Sequence, residues 1–277
     1  MVYLNGNFIA KNKASIPVMD RGFLFGDGVY EVIPVYQGKI FRLSAHLKRL
    51  QKSLDSVKIP NPHIENEWLA IFNQLLTYAE TGNQSLYLQI TRGVDICRKH
   101  SFDVLTPTVY IEANPLIPKT KQMLEQGFSA ITQSDIRWSR CDIKATSLLA
   151  NTLYAQTAKE HQVEEVILHR ETIITEGATS NVFMLKNGTL HTHPTGVNIL
   201  SGITRDLALE SAQACDLTIE ESSFNIDALI NADEVWISSS TREIMPITQI
   251  NGQTVNDGKV GQYWACVYTH YQRLKND

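Results

Sequence analysis

The sequence predicts an α+β protein built in two lobes, and three observations carry that expectation. The chain has 277 residues, more than a typical single domain. β-rich runs and runs with helical spacing occur on both sides of its middle. Between them, "NPLIPKTKQ" at 114–122 holds two prolines among polar and basic residues, the composition of a linker. The expected layout is an N-terminal lobe over 1–115, a linker over 116–122 and a C-terminal lobe over 123–277.

The elements follow in order. "YLNGNF" opens the chain with Asn5-Gly6 between Leu4 and Phe8, a type I′ hairpin signal, because both central residues must take positive φ. "GVYEVIPVYQGKIFRL" continues in β-rich residues and turns at Gln37-Gly38. The period then changes: Leu47, Leu50, Leu54 and Val57 fall on one helical face, with Ser44 as the expected N-cap. A second helix is expected around 67–80, followed by strands at "SLYLQITRG" and "TPTVYIEA". Beyond the linker come a strand at 128–135, a helix near 147–162 and strands at "EEVILHR", "TSNVFMLKNG" and "TLHTHP". Helices at 203–215 and 258–273 and strands at 234–239 and 244–255 complete the chain, the last turning at Asn251-Gly252.

The composition narrows the work the chain can do. With 43% hydrophobic and 19% charged residues and a formal charge of −4, it offers no electrostatic case for nucleic acid or an anionic membrane. Cys97, Cys141, Cys215 and Cys266 lie far apart with no C-x-x-C pair, so free thiols in a reducing compartment are expected. "MVYLNGNFIA" lacks the pattern of a secretion signal, and no apolar run approaches the ~18 residues of a membrane span. The expectation is a soluble, cytoplasmic protein acting on small molecules. No G-x-G-x-x-G or P-loop occurs, which removes the dinucleotide and NTPase readings. His191 and His193 form an H-x-H pair without a third ligand at metal-site spacing, so no metal is expected.

Candidate chemistry centres on Lys144 in "RWSRCDIKATSLLAN", where a strand-like stretch gives way to a helical one. A lysine among apolar groups loses its charge more readily, and the neutral amine can attack a carbonyl. If that carbonyl is an aldehyde cofactor, a phosphate cradle and an acid for a ring nitrogen should accompany it. "LSGITRDLALE" puts Ser201-Gly202 just before a helix, so the amides of Ile203 and Thr204 would face an anion. Ser240 and Thr241 in "ISSSTREIMP" offer a second donor loop, and Arg49 a planar fork. Glu176, in "ITEGATSNVFML", stands at an expected turn from which a carboxylate could reach a pyridine nitrogen.

Together these strings resemble one family. "FGDGVYE" at 25–31, "HLKRL" at 46–50, "DIK" at 142–144, "TEGATSNVF" at 175–183, "GITRD" at 202–206 and "SSSTREIMP" at 238–246 follow the order and spacing of class IV aminotransferases, the pyridoxal 5'-phosphate enzymes of fold type IV. The resemblance implies two α+β lobes with the cofactor between them, and a homodimer whose sites borrow residues from the partner. It implies that Lys144 bonds to the cofactor and that Arg49, Ile203, Thr204 and Thr241 bind its phosphate, with Ser240 nearby. Glu176 would pair with the pyridine nitrogen, Arg137 would support that acid, and Leu200 would pack on the ring. "TRGVDICRKHSF" resembles the branch acting on D-amino acids, through Arg98-Lys99-His100. On that resemblance Arg98, His100 and Tyr30 hold the substrate α-carboxylate, Arg98 and His100 reaching in from the neighbouring subunit. D-Alanine or a similar D-amino acid would give its amino group to a 2-oxo acid such as 2-oxoglutarate. The alternatives on the same fold are an aminodeoxychorismate lyase, which would not need the Arg98/His100 pair, and a branched-chain L-aminotransferase. Arg242 departs from the pattern by adding a cation beside the presumed site loop.

Overall fold

A computed structural model describes residues 1–276, and the chain divides into two compact units. The first comprises Met1–Ile117 together with Ile143–Leu148, the second Pro118–Asp142 and the chain from Leu149 onward. The residue carrying the candidate amine thus belongs to the first unit, whereas the sequence reading expects it in the C-terminal lobe.

The first unit contains β1 (Val2–Leu4), β2 (Asn7–Ile9), α1 (Arg21–Phe25), β3 (Gly28–Tyr36), β4 (Lys39–Ile40), α2 (Leu43–Val57), α3 (Glu65–Leu76), β5 (Gln84–Thr91) and β6 (Thr108–Pro115). Asn5 and Gly6 take φ of 47° and 91°, as the hairpin between β1 and β2 requires. The sheet runs β2-β1-β6-β5-β3-β4, with every pair antiparallel. Side chains alternate across it, so Val29 and Ile33 of β3 and Leu86, Leu88 and Ile90 of β5 share one buried face. Leu47, Leu50 and Leu54 of α2 and Trp68, Phe72 and Leu75 of α3 close that face, which is where the helical spacing of leucines is used. Ser44 does not cap α2: the helix begins one residue earlier, after Arg42 in the left-handed region at φ 52° with no side-chain cap. Ser44 therefore lies within the first turn.

Residues 143–148 join this core by pairing with the start of β3. The Tyr30 amide donates to the Lys144 carbonyl (3.0 Å) and the Thr146 amide to that of Gly28 (2.9 Å), with Val29 opposite Ala145. Extended pairing sends alternate side chains to opposite sides. Ile143 and Ala145 enter the apolar core, so Lys144 and Tyr30 face the other way.

The second unit contains α4 (Lys121–Gln126), β7 (Phe128–Ser134), α5 (Leu149–Glu160), β8 (Glu165–Arg170), β9 (Ile173–Gly177), β10 (Asn181–Lys186), β11 (Thr189–Thr192), α6 (Ile203–Gln213), β12 (Thr218–Glu221), α7 (Ile226–Ile230), β13 (Glu234–Ser239), β14 (Glu243–Ile250), β15 (Gln253–Thr254) and α8 (Gln262–Asn276). Lys121 and Gln122, expected in the linker, are already helical, because the Thr120 side chain caps α4 at the Met123 amide (3.2 Å). The sheet runs β12-β11-β10-β13-β14-β7-β8-β9, with β15 on β14. The pairs β14-β7, β7-β8 and β11-β12 are parallel and the rest antiparallel. Tyr154 and Ala158 of α5 pack on Val166 and Leu168 of β8.

The four cysteines are not all the free thiols expected of them. Cys215, just past α6, and Cys266 of α8 form a disulfide across a separation of 51 residues, while Cys97 and Cys141 remain free. Sequence distance concealed the pair because α6 and α8 come together only in the folded unit. Among the described residues no helix is long and apolar enough to cross a membrane.

Candidate active site

In the first unit the Lys144 Nζ lies 4.2 Å from the centroid of the Tyr30 ring, and its backbone amide donates to Ser53 Oγ at 3.3 Å. The amine is half-buried on the side of β3 away from the core. Behind it, Glu31 is fully buried and takes both Nε and Nη2 of Arg49 at 2.8 Å, while its Oε2 also meets His46 Nδ1 at 2.8 Å. Burial works against the Glu31 charge, but the charge and hydrogen bonds of Arg49, aided by His46, win and hold the carboxyl well below the usual carboxylate range. This fixes the Arg49 guanidinium beside α2 by two parallel bonds, and "HLKRL" is the sequence trace of it.

Arg98 and His100 are exposed on the loop between β5 and β6. Both flank Phe25: the Arg98 guanidinium carbon lies 5.0 Å from the ring centroid and the His100 ring 5.6 Å.

In the second unit Glu176 lies within the buried end of β9, where the sequence suggested an open turn. Its Oε1 receives Nη1 of Arg137 at 2.5 Å, and its Oε2 receives the Leu200 amide at 3.0 Å and Asn181 Nδ2 at 3.3 Å. Burial pushes the Glu176 carboxyl up to about 7, against the opposing pull of Arg137 and of the Leu200 amide. Arg137 is itself held by Asp135, through Nε (2.9 Å) and Nη2 (3.0 Å). The sequence reading missed Asn181, which also donates to the Leu200 carbonyl at 2.8 Å. Its place in "TEGATSNVF" was the available signal.

The same asparagine connects this acid to α6. A Cβ on Gly202 would meet Asn181 Oδ1 at 2.1 Å, so only glycine lets the start of α6 come this close. Gly202 is the N-cap and supplies no side-chain cap, which leaves the amides of Ile203 and Thr204 to the helix N-terminus. Asn181 is also paired across the sheet with Ser238, whose buried Oγ finds no hydrogen-bond partner among the described residues. Ser240 and Thr241 form the turn that follows, between β13 and β14. Glu176, Leu200, the start of α6 and this turn are thus gathered around one end of the second unit's sheet. Arg242 is engaged elsewhere, donating Nη2 to Glu165 and to Thr179 Oγ1, both at 2.6 Å. Cys141 is buried, its thiol 3.2 Å from the Trp138 carbonyl, and burial pushes that thiol up from its ordinary value.

Each unit carries groups that suit part of a phosphorylated pyridine aldehyde. A primary amine suits the aldehyde, a buried carboxyl the ring nitrogen, and an uncapped helix N-terminus behind a close glycine the phosphate. Comparison with known proteins points the same way. The class IV amino-transferase family matches residues 28–250. The D-alanine aminotransferase of Bacillus licheniformis is 40% identical over 272 residues, covering 98% of this chain and 95% of that protein. The enzyme of the same name from Staphylococcus haemolyticus is 39% identical over 267 residues, covering 94% and 92%. Among solved structures, the branched-chain amino acid aminotransferase of Escherichia coli aligns with a TM-score of 0.87 at 25% identity, covering 97% of this chain and 91% of that one. With the amine, the buried acid and the uncapped helix N-terminus all in the strings that carry the family's pattern, the chain belongs to the class IV aminotransferases, which work with pyridoxal 5'-phosphate.

Proposed function

We propose that this chain is a D-amino acid aminotransferase, moving the amino group of D-alanine or a similar D-amino acid to a 2-oxo acid such as 2-oxoglutarate. The observation that carries the reading is the pair Arg98 and His100 held against one ring, that of Phe25, two exposed donors suited to a single α-carboxylate. The near-complete overlap with relatives named D-alanine aminotransferase supports the same substrate class.

When bound, pyridoxal 5'-phosphate supplies an electron sink conjugated to the substrate Cα. In this reading Lys144 would hold the cofactor through its aldehyde carbon, and its amine would carry the substrate α-proton as base and then as acid. Glu176, steadied by Arg137, would pair with the ring nitrogen, and Leu200 would pack on the ring. Ile203, Thr204, Thr241 and Arg49 would bind the phosphate, with Ser240 beside them. Tyr30 joins Arg98 and His100 at the carboxylate.

The reading includes a homodimer in which Arg98 and His100 serve the neighbouring subunit. Exposed apolar side chains in the first unit support it. Ile96 and Val104 are 94% and 92% exposed, and Val18 and Phe23 are exposed on the segment that the Asp20–Val94 bridge ties to the same loop. A cytoplasmic location suits the free thiols Cys97 and Cys141, and the Cys215–Cys266 disulfide is the feature that tests it: thiol labelling of protein taken directly from cells should find that pair reduced.

The fold shared with a branched-chain enzyme keeps L-leucine as the competing donor. Initial rates with D-alanine, L-leucine and aminodeoxychorismate separate the readings. D-Alanine should dominate, and Arg98→Ala with His100→Ala should raise its KM steeply, since each charge-assisted contact contributes about 1.5–3 kcal/mol. L-Leucine turnover at a comparable rate, or an unchanged KM in the double variant, would overturn the D-specific reading.

A further inference from the structure

The loop that carries Arg98 and His100 has little backbone structure of its own. Among the described residues, residues 96–103 make no backbone–backbone hydrogen bond. The loop is anchored at its stem. The Asp95 amide donates to the Met19 carbonyl (3.2 Å) and the Arg21 amide to that of Gly93 (2.9 Å). Gly93, at φ +102°, would drive a Cβ to within 2.0 Å of the Thr106 carbonyl, so the two arms of the loop close on glycine.

Beyond the stem, its carbonyls are held by one side chain. Arg21 is 3% exposed, and its Nη1 donates to the carbonyls of Lys99 (2.7 Å) and Ser101 (3.4 Å) while Nη2 donates to that of His100 (3.1 Å). The guanidinium is fixed in turn by carboxylates. Its Nε donates to Asp27 Oδ2 at 2.8 Å, and Asp95 Oδ2 stands 3.5 Å from Nη1. Arg92 grips Asp27 from the other side with two 2.8 Å bonds and ties to α2 through the carbonyls of Val57 and Lys58. The Arg21 guanidinium carbon also lies 4.8 Å from the centroid of Phe25, the ring that Arg98 and His100 flank. A planar five-donor fork can meet three consecutive carbonyls and two carboxylates together; a lysine ammonium, with three donors at one point, cannot.

We infer that Arg21 is a positioning residue for substrate recognition: by holding the carbonyls on either side of and at His100, it sets the two carboxylate donors at the spacing one α-carboxylate needs. It touches neither substrate nor cofactor. The inference rests on the reading of Arg98 and His100 as carboxylate donors, and it adds that their geometry is imposed by a buried arginine on another segment of the unit.

The test compares four holoenzymes: wild type, Arg21→Lys, the Arg98→Ala/His100→Ala variant, and the three changes combined. Arg21→Lys should raise KM for both D-alanine and 2-oxoglutarate about tenfold, the loss of one charge-assisted contact, and hold kcat within about twofold. The cofactor absorbance should stay unchanged. In the Arg98→Ala/His100→Ala background, Arg21→Lys should add nothing to KM, because there is no longer a pair to position. If that background raises KM but Arg21→Lys does not, or if the two effects simply multiply, the positioning role falls and the carboxylate reading stands. If the Arg98→Ala/His100→Ala variant keeps the wild-type KM, the carboxylate reading falls and the positioning role with it. Should Arg21→Lys fail to fold, Asp95→Asn takes its place: it keeps an oxygen for the Ile96 amide, which Asp95 Oδ1 now binds at 2.8 Å, but removes the charge facing Arg21. It should raise KM about twofold to threefold in the same way, and an unchanged KM would overturn the inference.

Discussion

Replacing Glu176 by glutamine sets burial against pairing at a buried acid of the second unit. The carboxyl moves from an ordinary value of 4.5 to about 7, with burial as the larger cause and Arg137 opposing it. At about 1.4 kcal/mol for each tenfold in acidity, that gap amounts to ~3 kcal/mol. The sign follows from linkage. The folded pKa is raised, so the contribution to stability is fully present below pH 4.5 and is lost as pH rises through about 7. Glutamine stands in for the protonated carboxyl and does not titrate. Urea unfolding of the cofactor-free protein, followed by circular dichroism between pH 4.5 and 8.5, should therefore show the stability of Glu176→Gln relative to wild type rising by ~3 kcal/mol across that range. The other titrating groups cancel in the difference. A flat difference, or one that falls with pH, would mean that the 2.5 Å contact with Arg137 outweighs burial, and the reasoning would be refuted. In the working enzyme the consequence is chemical. A carboxyl that is costly to ionise unpaired is one that a protonated ring nitrogen would satisfy, and Glu176→Gln should slow proton transfer more than it weakens cofactor binding.

The remaining predictions address the other groups. Lys144→Ala should abolish multiple turnover and the visible absorbance of lysine-bound cofactor; a variant retaining both would remove Lys144 from the reaction. Gly202→Ala should push Asn181 aside, because its Oδ1 would lie 2.1 Å from the new Cβ. Losing the two Asn181 hydrogen bonds, at about 1 kcal/mol each, should weaken cofactor affinity roughly thirtyfold in an absorbance titration, with circular dichroism unchanged. Cys215→Ser with Cys266→Ser releases a loop spanning the 51-residue separation and should lower unfolding stability by about 2–4 kcal/mol; the same loss should appear in wild type under a strong reductant.

Much of this protein was legible in its sequence, because the signals involved are local. Asn5-Gly6 and Asn251-Gly252 announce their hairpins through a backbone requirement that two adjacent residues satisfy by themselves. The spacing of Leu47, Leu50 and Leu54 dictates which face of α2 is buried. Strings such as "DIK", "TEGATSNVF" and "GITRD" keep the candidate amine, acid and helix N-terminus in fixed order, so the cofactor chemistry could be read before any coordinates. Other features depend on partners far along the chain. Lys144 belongs to the first unit only because Gly28 and Tyr30 of β3 pair with 144–146, and no local pattern encodes a strand pairing across more than a hundred residues. Glu176 was expected at a turn; Arg137, Asn181 and Leu200 bury and pair it, and that burial rather than its residue type sets its acidity. Cys215 and Cys266 meet only when α6 and α8 come together, and the Arg21 fork reaches its three carbonyls only when α1 meets the loop after β5. Residue identity set the chemistry available to this chain, and tertiary contact set the charge state, the pairing and the aim of each group, because desolvation and hydrogen-bond geometry act through space.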